Sequence, residues 1–586
     1  MKKCGFLWVM AAASLLLPLS AAEKKAEAPK AAENKAEVPR PGRRTRTAPA
    51  KPAAKPAKPA AKPVKPKAPA KPQTRSWKTL SGKPAPLRIG WGMRDVSTDL
   101  PVAIPGGWTK PISKGMADQL TVTALVIDNG FDAVVFLSCD LVHIYLRQII
   151  PIYEIAARLD PTIPPLDKWI VNATHTHAGP MLCGPGRNGI SPGIPFDDKG
   201  EYLKFFNNSA ARAVVEAWKT RAPGQVAWGY GYVAGGFSRR TVYDRDLSGD
   251  ERVLTPQMKA HKNAPVLTGR CTMHGPNLPE FSHYEAGMDP YANYLFTFDA
   301  KGDLTGAIIN LSTTAQCGSP KRGYMSADFW YETRQQLRNK FGDIHILPQC
   351  AAAGDITPRH QHYNEAQTRR LALKYGDRSD NRITQYRLDL ADRITSSFSE
   401  VLAWASKDKR RVLPLCHTVI SPKLERDACS DEELAETKRR LAEVEALPPT
   451  DTLPPDQRLR EETYRATLRG KYIWAIKRYE DVKKNPTAET PLHIVRLGPI
   501  AFASNPFELF IDYMHRIQRQ SPFEQTFIIQ LSHMGGMHAG YLPTERAVAN
   551  KGYSAEPYSH AIGAKGGATL VAATVKELKR LVTIKK

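Results

Sequence analysis

The sequence predicts an α/β (α+β) fold, and three consecutive signals carry that prediction. Residues 120–127 and 133–138 are apolar or alternating runs on either side of Asp128-Asn129-Gly130, which is the pattern of a β-hairpin. A helical pattern follows over residues 144–159. A second apolar run, Trp169–Ala173, then predicts another strand. Strand, helix, strand in that order argues against an all-β or an all-helical core.

The elements begin only after a long leader. Lys2 and Lys3 precede an apolar run over residues 5–19 and then Ser20-Ala21-Ala22, so residues 1–22 are expected to be an export signal. The run is shorter than the about 20 residues of a bilayer span, and Cys4 lies before it, where a lipidation cysteine would not. Residues 23–75 are almost entirely Ala, Lys and Pro, with 16 lysines and arginines against four glutamates. Such a segment buries too little apolar surface to offset its ordering entropy, and is expected to be a disordered linker of polyproline II character. Fully extended at about 3.1 Å per residue, it would reach roughly 150 Å.

This linker and Lys2/Lys3 hold 14 of the formal charge of +25. The basic balance therefore describes the leader more than the folded part. Its charge suits an anionic envelope or membrane surface, or serves only to keep a spacer solvated. Nucleic-acid binding is not expected, because no aromatics interleave with the charges. The eight cysteines are scattered without a Cys-x-x-Cys pair, so no zinc ribbon or redox motif is present.

One folded domain is expected over residues 76–586. The hairpin's second strand should deliver Asp140 to its end. Further strands are expected at 294–298, 306–311, 345–348 and 493–503, and helices at 328–341 and 567–581. Between about 422 and 486 the composition turns densely charged. Ser430-Asp-Glu-Glu433 is a capping box opening a helix with Leu434, Leu441 and Val444 on one side, and residues 458–482 resume helical composition after a proline-rich break. A helical hairpin inserted into the main domain is predicted there.

The chemistry centres on His175-Thr176-His177-Ala178-Gly179-Pro180 at the end of the strand Trp169–Ala173. In extended backbone, residues i and i+2 share a face, so both imidazoles are expected to look into one pocket. Neutral imidazoles there suit metal binding or proton transfer. With Asn172-Ala-Thr, this stretch resembles the Thr-His-Thr-His-Ser-Gly-Pro signature of the neutral/alkaline non-lysosomal ceramidase family. Leu304–Asn310 and Ser326-Ala-Asp328 resemble its central strand and following helix start, and Gly354-Asp355-Ile-Thr357-Pro358 its Gly-Asp-x-Ser-Pro loop. Asn505-Pro-Phe-Glu508 resembles its Pro-Gly-Glu element, and Gly540-Tyr541-Leu-Pro-Thr544 with Gly552-Tyr553 its closing tyrosine motif. The order holds from about residue 86 to the C-terminus.

The resemblance implies a four-layer α-β-β-α fold, two packed sheets with helices outside, and a zinc-dependent hydrolase of N-acyl amides such as ceramide. Family members often carry a further immunoglobulin-like domain at the C-terminus, and none is expected here. Carried over by motif, His175, Glu508 and Tyr541 would be metal ligands. His177 would stabilise the tetrahedral intermediate, with Arg239 of Gly236-Phe-Ser-Arg239-Arg240 beside it and Tyr553 lining the pocket. Two positions depart from the pattern. Gln316 stands nearest to where the family has its second histidine ligand, and an amide oxygen is the poorer zinc ligand; His538 or His533 is the alternative. Thr357 replaces a serine and keeps the hydroxyl, suited to donating a hydrogen bond rather than to attack, since no Gly-x-Ser-x-Gly elbow exists. Asp355 would order its loop or a histidine. Other readings stay open: a hydrolase of another envelope amide or ester, a binding protein without the metal, or an envelope-tethered structural protein.

Overall fold

Alternation along the central strands places apolar side chains on both faces at once. In Thr121–Asp128, Val122, Ala124 and Val126 face one layer while Leu125 and Ile127 face the other, and all eight residues are buried. Ala133–Cys139 repeats this, with Val135 and Leu137 opposed to Val134 and Phe136. Such strands must be covered on both sides. The computed structural model describes residue 77 and residues 80–187, 190, 192–253, 269–534 and 540–584. The expected export signal and linker lie outside the described residues, as does His538.

Eight strands form the larger sheet, in the order His345–Cys350, Leu304–Leu311, Tyr291–Asp299, Ala222–Tyr232, Arg88–Asp95, Thr121–Asp128, Ala133–Cys139 and Trp169–Ala173. The pair at each edge is parallel, and the pairs between them are antiparallel. A four-stranded sheet follows the order Leu415–Ile420, Leu492–Leu497, Ile500–Ser504 and Gln525–Ile529, its last pair parallel. Leu125, Phe136, Ile170, Leu295 and Ile308 of the first sheet meet Val495, Phe502, Phe527 and Ile529 of the second in one buried cluster. The Phe502 ring stands 5.0 Å from Phe136 and 4.5 Å from Phe527. Asn310 also crosses between the sheets, donating to the Ile528 carbonyl at 2.8 Å.

Helices cover the outer faces. Leu146–Leu159 and Glu201–Thr220 bury Ile149, Ile152, Phe206 and Val214 against one half of the large sheet. Phe329–Phe341 and Arg382–Ala405 bury Leu337, Ile394, Phe398 and Val401 against the other. Ile511–Gln520 and Ala564–Thr583 pack on the small sheet through Met514, Ile517, Leu570 and Leu578. The four-layer arrangement is thus present. Asp140, at the strand end as expected, is fully buried and holds a two-pronged pair with Arg334 at 2.7 and 3.1 Å. Its role is structural.

The single strand expected over 493–503 is two strands. Gly498, at φ 60°, turns the chain between Leu492–Leu497 and Ile500–Ser504, which pair antiparallel. The charged segment forms two helices, Asp431–Glu445 and Pro455–Lys484, rooted on a ribbon of Lys423–Glu425 paired with Thr487–Glu489. Val444, Tyr464, Leu468 and Tyr472 seat the hairpin on Tyr558 and Trp108. The capping box is formed: Ser430 Oγ accepts from the Glu433 N–H at 3.2 Å and Glu433 Oε2 from the Ser430 N–H at 3.0 Å. Ser430→Ala should therefore cost about 1 kcal/mol of local helix stability, read as an approximately fivefold loss of amide-exchange protection in residues 431–445. Among the described residues no helix is long and apolar enough to cross a membrane, and all seven described cysteines are free.

Candidate active site

Parallel strands gather their following loops at one end of the sheets, where α/β proteins place ligands. Trp169–Ala173 leads to His175 and His177, Leu304–Leu311 to Gln316, His345–Cys350 to Asp355 and Thr357, and Ile500–Ser504 to Glu508. Gln530, fully buried after the neighbouring strand, ties two of these loops. Its Oε1 accepts from the Ala353 N–H at 3.0 Å and from the Leu509 N–H at 2.9 Å. Gly354 fits because it has no side chain, since a Cβ there would lie 2.3 Å from the Glu508 carbonyl oxygen.

The two histidines meet, though not by the extended geometry expected. The strand stops at Ala173 and His175 adopts φ 61°, a left-handed conformation that non-glycine residues occupy at a cost of order 1–3 kcal/mol. The turn brings the imidazoles into a T-shaped contact, centroids 4.7 Å apart, with His177 Nε2 3.2 Å from His175 Nε2. His175 Nδ1 bonds the Val142 carbonyl at 2.6 Å. That bond requires the proton on Nδ1 and leaves Nε2 with a free lone pair, facing Glu508 Oε2 at 3.5 Å. Burial holds both imidazoles below the usual histidine range. Glu508 partly offsets this at His175, while His175 and Arg239 push His177 further down.

Glu508 and Tyr541 lie side by side because Glu508–Leu509 pairs in parallel with Tyr541–Leu542. The Tyr541 hydroxyl is 3.3 Å from that of Tyr553. Burial first, then Glu508 and Tyr553, raise Tyr541 well above the usual tyrosine range against the pull of Arg239, so it stands as a phenol. Arg239 is buried, with its guanidinium carbon 5.2 Å from the Tyr541 ring and 5.8 Å from the Tyr553 ring. Burial lowers its pKa, but Tyr541, Tyr553 and Glu508 outweigh that and raise it. Its Nη2 donates to the Gly354 carbonyl at 2.6 Å, while Nε is buried with no partner among the described residues. An orphaned cationic donor beside two hydroxyls is costly unless something else accepts from it.

Thr357 is buried on the wall of a cleft of about 1050 Å³ that it shares with His177 and Gln316. Among the described residues Asp355 has no hydrogen bond to a histidine. Its Oδ1 accepts from the Ile511 N–H at 3.0 Å, its backbone carbonyl accepts from the Arg239 N–H, and burial pushes its pKa up to about 7. His533 lies against His493 instead, ring centroids 4.5 Å apart, in a buried trio completed by His417. Sequence reasoning missed His143, whose pKa burial pushes down to about 3 with His175 adding to the shift; it follows Asp140 on the strand-end loop, which was the available signal.

The motifs imply a zinc ion at these donors. Tetrahedral zinc with bonds of 2.0–2.1 Å needs donors about 3.3 Å apart, and His175 Nε2 stands 3.2 Å from His177 Nε2 and 3.5 Å from Glu508 Oε2. His175 and Glu508 fit. Among the described residues, however, no group of three or more His, Cys, Asp or Glu is arranged to hold a metal ion. Gln316 does not supply the third donor as oriented, because its Oε1 accepts from Thr314 Oγ1 at 2.7 Å and its amide nitrogen faces His177 Nε2 at 2.8 Å.

No protein-family model and no curated protein matches the chain. Among solved structures it is similar to neutral ceramidase from Pseudomonas aeruginosa, with a TM-score of 0.57 at 16% identity over 85% of this chain and 74% of that one. A ceramidase solved in complex with C2 gives a TM-score of 0.55 at 15% identity, over 86% and 76% of the two chains. At this identity the likeness is one of fold.

Proposed function

We propose that the chain is an exported, metal-dependent hydrolase that cleaves an N-acyl amide bond, with ceramide-like lipids the class its motifs imply. The observation that carries the reading is the free lone pair of His175 Nε2, fixed by the Val142 carbonyl and set 3.5 Å from Glu508 beside Tyr541 and Arg239. The fold shared with neutral ceramidases supports it. Export is supported by Lys2, Lys3 and the apolar run after them, and the basic linker suits an anionic envelope surface.

A cation held by His175 and Glu508, with Tyr541 beside them, would polarise the amide carbonyl and acidify a water to a pKa of about 7. The chain's own groups do the rest. The Arg239 guanidinium, beside the Tyr541 ring, and the Tyr541 hydroxyl stabilise the oxygen on which negative charge grows. His177, neutral at pH 7, accepts the proton of the attacking water and returns it to the leaving amine, so that amide and water become acid and amine. Thr357 orients the substrate from the cleft wall.

The test is turnover by the full chain of a fluorescent N-acylsphingosine and related N-acyl amides, following acid and amine together. Zinc-dependent release of both products from any of them, abolished by a chelator, is expected. One observation favours a second reading: among the described residues no third His, Cys, Asp or Glu joins His175 and Glu508, which suits a binding protein that has lost the metal. Tight binding of acyl amides without release of either product, with or without added zinc, would select it.

A further inference from the structure

The cleft that opens on His177 is charged in a way a neutral lipid does not require. Three arginines line it from separate segments: Arg322 from the loop after Gly318, Arg359 two residues beyond Thr357, and Arg382 at the start of the helix Arg382–Ala405. No aspartate or glutamate lines it among the described residues. Arg359 donates to the Cys317 carbonyl at 2.7 Å and Arg382 to the Tyr386 hydroxyl at 3.4 Å, so neither is neutralised by these bonds. All three arginines are exposed, so water and salt screen their mutual repulsion, but their fields add over the cleft and attract an anion into it. Among the described residues, pure hydrocarbon on the walls is limited to Ile104, Pro111, Ala178 and Ile383, little for a ligand with two long chains. An adjoining cavity of about 750 Å³ shares Arg322 and adds Lys114 and Arg460 against a single carboxylate among the described residues, Asp456.

We infer that the cleft binds an anionic group, a carboxylate, sulfonate or phosphate, carried by the substrate near its scissile amide. This deepens the hydrolase reading and rests on it for the word substrate, whereas the anion preference is a binding property. Arg322 and Arg382 attract the anion from the rim, and Arg359 holds it beside Thr357, leaving the amide to reach His177.

Titration calorimetry on the full-length protein with a chelator present, so that no turnover occurs, tests the inference apart from catalysis. The probes are N-octanoylglycine, N-octanoyltaurine, N-octanoyl-O-phosphoethanolamine and the neutral N-octanoylethanolamine. At least one anionic amide should bind about tenfold more tightly than the neutral one, and which does so identifies the anion. The ratio should fall towards one in the triple variant R322Q/R359Q/R382Q, and in about 0.5 M NaCl, where the Debye length is only a few ångströms. Equal affinity for neutral and anionic amides, a preference that survives the triple variant, or no binding of any anion overturns the inference. The zinc-supplemented turnover assay, run separately, reports on hydrolysis whichever way the affinities fall.

Discussion

Glu508→Gln should lower kcat by roughly a thousandfold, about 4 kcal/mol of transition-state stabilisation, and should take most of the bound metal with it. The substitution keeps the shape and removes only the negative charge. The backbone around it is held independently, since the Glu508 N–H donates to the Gly540 carbonyl at 2.9 Å and the residue pairs with Tyr541 across a parallel bridge. Gln530 fixes the following residue through the Leu509 N–H. The fold should therefore survive, and the melting temperature should move little while activity collapses. A carboxylate opposite a lone-pair nitrogen at 3.5 Å is what a divalent cation requires. An amide in its place offers a neutral oxygen, which satisfies hydrogen bonds but does not balance the charge. Steady-state kinetics of the zinc-loaded variant, beside its thermal melt, checks this.

Arg239→Gln is the second large effect, an expected loss of about a hundred- to a thousandfold in kcat with KM nearly unchanged. The guanidinium is buried, and one of its N–H groups has no partner among the described residues. A donor left idle in the resting state and used as charge develops contributes to the rate more than to binding. Arg239→Lys should fail to restore the rate, because an ammonium lacks the planar fork that spans the Gly354 carbonyl and the space beside Tyr541. The variant also strands the Gly354 carbonyl, so a stability loss of about 1–3 kcal/mol should accompany it. A rate loss at temperatures well below the melt separates the two effects.

Much of this was legible from residue order. The hairpin around Asp128-Asn129-Gly130, the strand Trp169–Ala173 and the capping box at Ser430 depend on local chemistry, and each formed where the pattern placed it. His175, Glu508 and Tyr541 were found through motifs, and the structure places the first two 3.5 Å apart and the last two in register. The shape of the turn at His175 was not legible, because period-two alternation assumes extended backbone while His175 is left-handed and its ring contacts Val142 and His177. Ala222–Tyr232 was missed because Pro223, Gly224, Gly229 and Gly231 interrupt its apolar pattern, and tertiary pairing overrides them. Arg382–Ala405 was missed although Ile394, Phe398 and Val401 carry helical spacing. His143 comes near His175 only through the loop that follows Asp140, and the basic cleft is drawn from three separate segments, so no local pattern announces either.

The most direct measurement is the metal content of the purified full-length protein after zinc loading and removal of free ion, determined by plasma mass spectrometry for the wild type and for Glu508→Gln. About one zinc per chain in the wild type, and a small fraction of that in the variant, is the result predicted by a site built on His175 and Glu508. Zinc absent from both, or retained equally by both, would contradict it.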